Sequence, residues 1–292
     1  VLYQLSLMVK DQQKLDPTLI PELMRALQLI GSLITANDVL RGFGCLHSLN
    51  NLIEHYYQDY KLTNDISQAA SVLAKCKPGT LRNIGFGYNV QSGAFDVVIR
   101  LKQTGYAEVK TSWRVWDGAV LASRWIFQNK GFFEGKTVLE LGAGCGLAGL
   151  VTSRYAKSTT ITDGLESVIE NITDNIKLNK RSLPSDTIST TLIDFMSDKM
   201  VFKKKFDIVI GTEIMYTVDI GKELAKTVSM YLKKGGYFYG ISASYRLGVP
   251  SFEEELKNRG FVVEHAMPGK KEGLINDADD MTWYCCLNKA EE

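Results

Sequence analysis

Residues 137–149 read TVLELGAGCGLAG, and this stretch decides how the 292-residue chain folds. Its first five residues are mostly apolar, which predicts a short buried strand. Three closely spaced glycines, Gly142, Gly144 and Gly146, then lead into an apolar segment with the character of a helix. Glycine allows positive φ angles and lets a ligand approach the main chain closely. The strand, the glycine-rich turn and the helix together therefore predict a ligand cradle.

Two acidic residues narrow the kind of ligand that this cradle would hold. Glu140 ends the strand just before Gly142, where its charge would repel a pyrophosphate and suit a cationic group. Asp163 ends a second short strand about 20 residues past the glycines, where such folds place a carboxylate for ribose hydroxyls. A nucleoside with an amino-acid tail meets both conditions, so the predicted cofactor is S-adenosyl-L-methionine, with S-adenosyl-L-homocysteine as the product.

Three motifs resemble those of a known enzyme family. Residues 140–146, ELGAGCG, resemble the first motif of class I, seven-strand methyltransferases. Residues 115–119, VWDGA, resemble the tryptophan segment that opens the catalytic domain in methyltransferase family 16, and residues 213–216, EIMY, resemble its acid-x-x-aromatic motif. The family includes protein-lysine methyltransferases that act on elongation factors, chaperones and calmodulin. The resemblance covers roughly residues 95–288.

The resemblance implies a set of cofactor-binding residues. Ligands of open α/β sheets bind beyond the carboxyl ends of the strands, so residues at those ends should cluster. In the family, an acid at the position of Asp194 helps to hold the adenine amino group, Phe195 could stack on the ring, and a tryptophan like Trp116 lies beside the cofactor. The predicted cofactor-binding residues are Trp116, Glu140, Gly142, Ala143, Gly144, Gly146, Asp163, Gly164, Asp194, Phe195 and Thr212.

Glu213 and Tyr216 are the predicted catalytic residues. A carboxylate can hold an incoming amine, and an aromatic ring favours a cation over its face. Methyl transfer is an in-line displacement in which alignment supplies most of the acceleration, and desolvation lowers the pKa of a lysine acceptor, so no dedicated base is required. The family more often has Asp where Glu213 stands, and its histidine-methylating branch has Glu. A lysine acceptor is favoured over histidine.

The order of predicted elements gives the fold class and the domains. Alternating strands and helices predict an α/β fold with a Rossmann-like, mostly parallel sheet, and the resemblance implies seven strands with an antiparallel last strand at residues 281–288. Residues 1–90 are predicted to be a helical accessory region, which either docks a protein partner or covers one face of the sheet. Residues 91–292 are the predicted methyltransferase domain, beginning with a β-hairpin of residues 95–101 and 106–110.

Composition argues against several other classes of protein. The net charge is +1, which gives no general attraction to nucleic acid or anionic membranes, and no apolar run is long enough to span a bilayer. The five cysteines and three histidines lack the spacing of metal ligands, so no metal is expected. Reduced cysteines fit a cytoplasmic protein, with the nucleus as a second compartment.

Three functions remain open. The first is a protein methyltransferase that acts on lysine, with elongation factor 2 as the candidate partner because helical extensions accompany that branch of the family; a monomer is expected. The second is a nucleic-acid or small-molecule methyltransferase, although the Asp/Asn-Pro-Pro-aromatic signature of base-amino methylation is absent after residue 211. The third is a non-catalytic interaction protein that retains a cofactor pocket.

Overall fold

The computed structural model describes residues 80–89, 94–104, 112, 114–184, 186–197, 200–266, 268–269 and 281–289. These residues belong almost entirely to one compact unit, which comprises residues 81–102 and 111–292. The predicted helices before residue 80 lie outside the described residues. None of the described helices is long and apolar enough to cross a membrane.

A two-stranded sheet opens the described chain. It consists of β1, Thr80–Asn89, and β2, Ala94–Gln103. Strand β2 was predicted, but its partner was not: β1 lies within the span predicted to be helical, and residues 106–110 are outside the described part of the chain. Gly85 and Gly87 weaken the strand signal of β1. Gly85 is needed there because a Cβ atom would overlap the ring of Phe95 on β2.

Helices and strands then alternate as predicted. In chain order they are α1 Asp117–Gln128, β3 Thr137–Leu141, α2 Leu147–Thr152, β4 Ser158–Asp163, α3 Glu166–Leu178, β5 Ile188–Leu192, β6 Phe206–Thr212, α4 Val218–Tyr231, β7 Leu232–Ala243, α5 Gly248–Asn258, β8 Phe261–Glu264 and β9 Met281–Asn288. A short 3-10 turn, Lys130–Phe132, follows α1. The main difference is that β7 begins at Leu232, ahead of Gly235 and Gly236, which hide its start in the sequence.

The seven strands β3 to β9 form one sheet in the order β5-β4-β3-β6-β7-β9-β8. Strands β3 to β7 pair in parallel, whereas β9 runs antiparallel to both β7 and β8. This confirms the predicted fold class, including the antiparallel last strand. The strand order reverses between β3 and β6, and an open α/β sheet places its ligand crevice at the carboxyl ends of such a pair.

Burial explains why β3 and β6 lie at the centre. Four of the five residues of β3 and six of the seven of β6 are buried, as expected for parallel strands that helices cover on both faces. Phe206, Val209, Leu224, Phe238 and Phe252 belong to one apolar cluster that joins the sheet to α4 and α5. A rigid centre of this kind holds the loops at the strand ends in place.

Two asparagines, one in α3 and one immediately after it, attach the hairpin to this core. The Asn179 side chain accepts a hydrogen bond from Arg100 N (2.9 Å), and the Asn175 side chain accepts one from Lys102 N (2.6 Å). Asn175 is fully buried and also donates to the carbonyl oxygen of Cys145, at 3.0 Å. One side chain thus bonds both to strand β2 and to the glycine-rich turn after β3.

Candidate functional site

The glycine-rich turn after β3 adopts a backbone that strongly favours glycine. Gly142, Gly144 and Gly146 have φ angles of 61°, 56° and 80°, in the left-handed region that other residues rarely enter. Ala143 N donates to the Thr162 carbonyl at 2.9 Å, and Gly146 N donates to the Ala143 carbonyl at 2.8 Å. The turn is therefore folded tightly against strand β4, with Gly146 immediately before α2.

Glu140 supports this turn by binding the helix α2 that follows it. Its side chain is 1% exposed, and Oε2 accepts a hydrogen bond from Gly149 N at 2.8 Å. Burial raises the pKa of Glu140 to about 8; the bond from Gly149 opposes the shift and the charge of Asp163 adds to it. The carboxyl group is thus directed into α2. The expectation that it meets a cationic end of the ligand gains no support from this geometry.

Asp163 joins the ends of β3 and β4. Its Oδ2 accepts from Gly144 N at 3.0 Å, and its Oδ1 accepts from Gly164 N at 2.8 Å. Burial raises the pKa of Asp163, and the bonds from Gly144 and Gly164 oppose that rise. The side chain is only 7% exposed, so it organises the turn while lying at the edge predicted to receive the ribose.

The end of β5 supplies a more accessible acid. Asp194 is exposed, and its Oδ1 accepts from Met196 N at 2.9 Å. Phe195 is half-buried and lies beside Gly142, 3.4 Å from the position that a Cβ atom would take there. At Gly164 the corresponding position would contact the Ile193 carbonyl oxygen at an ordinary distance of 3.7 Å, so the main chain there is not crowded. This edge can accommodate a flat ring with a polar substituent.

Glu213 stands at the end of β6 in a strained conformation. Its φ is 57°, the one positive value among the non-glycine residues that the structure describes. Such strain costs on the order of 1–3 kcal/mol and persists only where surrounding contacts hold it. Glu213 N donates to the Ile241 carbonyl at 2.8 Å. Thr212, the preceding residue, is buried, so the turn directs the Glu213 side chain inward.

The Glu213 carboxylate pairs with Arg246, which follows strand β7. Oε2 of Glu213 accepts from Nη2 of Arg246 at 3.2 Å and from Nε at 3.4 Å. The two side chains are 5% and 7% exposed, respectively. Gly118 at the start of α1 lies against the pair, because a Cβ atom there would be 2.7 Å from Cγ of Glu213. This is a buried ion pair formed by residues 33 positions apart.

Trp116 and Tyr216 complete this edge. The guanidinium carbons of Arg114 and Arg246 lie 4.2 Å and 5.9 Å from the centre of the Trp116 ring. Tyr216 is 37% exposed. Partial burial raises its pKa, as do the charges of Asp163 and Asp194, whereas Arg246 lowers it. Tyr216 is thus a neutral phenol in the same electrostatic environment as both acids and the arginine.

The predicted site residues therefore lie at the carboxyl ends of four neighbouring strands, β3 to β6, with Trp116 at the start of α1. Arg246 and Gly118 were not predicted, although the sequence carries a signal: Arg246 follows β7, the next strand of the sheet. A cavity of about 360 Å³ exists elsewhere, beside Lys136, Asp207 and Lys233 at the opposite edge of the sheet. Within the described residues, no cluster of three potential metal ligands is present.

Comparison with known proteins matches residues 96–246 to a family model described as lysine methyltransferase. The matched segment is just over half of the chain and ends at Arg246. It includes all the predicted site residues, so the family assignment and the clustered residues concern the same part of the molecule.

Individual relatives cover smaller shares. A histidine protein methyltransferase 1 homolog of Dictyostelium discoideum is 29% identical over 168 residues, covering 56% of this chain and 54% of the relative. The mouse EEF1A lysine methyltransferase 3 is 34% identical over 103 residues, with 35% and 43% covered. The human protein-lysine N-methyltransferase EEF2KMT is 28% identical over 113 residues, with 35% and 34% covered. The matches thus span about half or less of these relatives.

Solved structures support the fold. A 16S rRNA methyltransferase of T. thermophilus, in complex with AdoMet and guanosine, superposes with a TM-score of 0.51 at 17% identity, covering 72% of this chain and 51% of that one. Together with the sheet order and the matched residues 96–246, these findings show that the chain belongs to the lysine methyltransferase family.

Proposed function

We propose that this protein is an S-adenosyl-L-methionine-dependent protein-lysine N-methyltransferase. The observation that carries the proposal is the arrangement at the carboxyl edge of the sheet. A glycine-rich turn braced by two carboxyl groups lies there beside an acid-x-x-aromatic turn whose acid is buried. Family membership and the names of the relatives support the same activity.

The residues present fit the cofactor. An added Cβ atom would meet its nearest neighbour only at ordinary contact distance, 3.8 Å at Gly144 and 3.7 Å at Gly164, so no side chain crowds the backbone at these two glycines. Asp194 offers an exposed carboxylate to the adenine amino group, and Phe195 offers its ring to the base. The cofactor supplies an electrophilic methyl group, and the side chains of this protein hold and orient the two reactants.

Glu140 receives a different role from the one first expected, and Asp163 receives a second role beside the expected one. The bond from Gly149 N to Glu140 holds α2 against β3, and the bonds from Gly144 N and Gly164 N to Asp163 hold the turn against β4. Glu140 is therefore a positioning residue in this proposal. Asp163 positions the turn and lies close enough to the open edge to receive ribose hydroxyls.

Glu213 and Tyr216 would orient the acceptor. The buried Glu213 carboxylate accepts a hydrogen bond from the amine, and the neutral phenol of Tyr216 borders the approach from the solvent side. Fixing the amine in line with the transferred group is the principal contribution to rate, since well-oriented reactants gain about 7 kcal/mol or more. Gly118 leaves the room that the Glu213 side chain occupies, because an added Cβ atom there would lie 2.7 Å from Cγ of Glu213.

The substrate proposal is a lysine of a translation elongation factor, with elongation factor 2 as the first candidate. Relatives named for elongation factor methylation support this class. Histidine is the second candidate acceptor, because the 168-residue match is to a protein named as a histidine methyltransferase homolog and because Glu213 replaces the more common Asp.

The test is methylation with labelled S-adenosyl-L-methionine of purified elongation factors and of a cell extract, followed by mass spectrometry of the modified residue. Label on a lysine of a protein supports the proposal, and label on histidine supports the second candidate. Label only in RNA or small molecules, or cofactor binding without any transfer, would reject it. Glu213→Gln serves as the matched comparison, because it keeps the size of the side chain and removes the charge; a changed rate of methylation by this variant shows that the transfer takes place at this site.

A further inference from the structure

We propose that Arg246 is a positioning residue that keeps the methyl-acceptor nitrogen uncharged. Bound to Glu213, it prevents that carboxylate from acting as the counter-ion of a protonated amine. This inference rests on the proposed lysine methyltransferase function and assigns the state in which the acceptor enters the site. Arg246 lies outside the acid-x-x-aromatic motif, and only the tertiary structure brings it to Glu213.

The geometry of the pair carries the first step. Arg246 approaches Glu213 through both Nη2 and Nε, at 3.2 Å and 3.4 Å from the same oxygen, Oε2. Ala243 N lies 3.4 Å from that oxygen too, while Oε1 faces the start of α1 near Gly118. Both side chains are nearly inaccessible to water, and charges in such surroundings interact strongly because solvent screens them little. The guanidinium therefore offsets most of the carboxylate charge.

The chemistry of the transfer supplies the second step. The nitrogen lone pair forms the new bond to the methyl carbon, while the electron pair of the broken carbon–sulfur bond stays on sulfur. A neutral amine and a sulfonium thus give a methylammonium and a neutral thioether. A protonated lysine has no lone pair, so it must release a proton to solvent before transfer. An unpaired carboxylate beside it would stabilise the protonated form and oppose that release.

Several elements contribute other charged groups to this edge of the sheet. The charges of Asp163, at the end of β4, and Asp194, after β5, raise the pKa of Tyr216, and that of Arg246 lowers it. On the side of α1, Arg114 lies over Trp116, and Asp117 is exposed to solvent. The negative charges of Asp163 and Asp194 would stabilise a protonated amine. The positive charge of Arg246 opposes that effect and favours the neutral acceptor.

The experiment is the pH dependence of the single-turnover methylation rate, because that rate reports the chemical step. Arg246→Met should move the rise of the rate with pH to higher pH by about one unit, so that the rate falls about tenfold at neutral pH and recovers in alkaline buffer. Glu213→Gln should move the rise to lower pH. Arg246→Lys, which keeps the charge, should leave the midpoint of the pH profile near that of the wild-type protein. In the double variant Glu213→Gln/Arg246→Met the two opposite shifts of the midpoint should largely cancel, while the absolute rate falls because the acceptor has lost the Glu213 carboxylate.

A purely structural role for Arg246 gives a different result. Arg246→Met would then lower the rate by one factor at every pH and leave the profile in place, which would overturn the proposal. If Arg246→Met does not fold, Glu213→Gln decides: a shift to lower pH supports the proposal and an unmoved profile rejects it. Absence of methylation by the wild-type protein would instead reject the proposed function, so the two failures are distinguishable.

Discussion

The cofactor edge and the acceptor edge of this protein are built in different ways. At the cofactor edge, Glu140 and Asp163 bind main-chain N–H groups of Gly149, Gly144 and Gly164, all within 20 residues along the chain. At the acceptor edge, Glu213 binds the side chain of Arg246. The first edge is a local turn that short-range spacing defines. The second depends on two loops that only the sheet brings together.

The largest predicted effect comes from a substitution that disrupts the acceptor edge. Glu213→Ala leaves Arg246 as a buried cation without its carboxylate partner, which should lower the free energy of unfolding by about 3 kcal/mol. Affinity for S-adenosyl-L-methionine should change less than threefold, because the bonds of the glycine-rich turn are untouched. Urea unfolding and calorimetry measure the two quantities. Strong loss of cofactor affinity would show that the two edges are one unit.

The second prediction concerns substitutions that disrupt the cofactor edge. It compares two glycines of the glycine-rich turn. Both Gly142→Ala and Gly144→Ala force a left-handed conformation, at about 1–2 kcal/mol. Only at Gly142 does the new Cβ also meet a neighbour, Cγ2 of Ile214 at 2.5 Å; at Gly144 nothing is closer than 3.8 Å. Gly142→Ala should therefore lose roughly 3 kcal/mol of stability, the larger loss of the two. Equal losses in urea unfolding would contradict the steric difference.

A third comparison uses two asparagines, Asn175 in α3 and Asn179 immediately after it. Asn175→Ala removes a buried bond to the Cys145 carbonyl as well as two to Lys102 of β2, and each buried partner left unsatisfied costs about 1–3 kcal/mol. Asn179→Ala removes bonds to β2 but none to the turn. Both variants should be destabilised, and only Asn175→Ala should weaken cofactor binding in calorimetry. Equal affinities would mean that Asn175 does not hold the turn.

The last prediction concerns pH, where the change is small for each pH unit and accumulates over several units. The folded-state pKa of Glu140 is raised from 4.5 to about 8, so the folded protein keeps a proton that the unfolded chain releases above pH 4.5. Wild-type stability should therefore decline as pH rises from about 4.5 to 8, by roughly 1 kcal/mol per unit. Glu140→Gln cannot titrate, so its decline should be smaller. Parallel pH curves from urea unfolding would show that Glu140 is not buried as a neutral acid.

Local spacing was sufficient to predict most of the fold and the cofactor edge. Alternating apolar runs predicted β3 to β9 and the helices between them, because each segment's period depends on neighbouring residues. The glycine spacing of residues 142–146 predicted the positive φ angles that the structure has. Strand β1 was missed because Gly85 and Gly87 serve a contact with β2 and leave little strand pattern of their own.

By itself, therefore, the sequence determined the family, the sheet and the place of the site at its carboxyl edge. Only the tertiary structure decided that Glu140 faces Gly149 and that Glu213 pairs with Arg246. The physical reason is the separation along the sequence between the residues that specify each feature. A strand or a glycine turn is specified by residues within a few positions of one another, whereas a buried charge must find a partner, and for Glu213 that partner lies 33 residues away, on the loop after the adjacent strand.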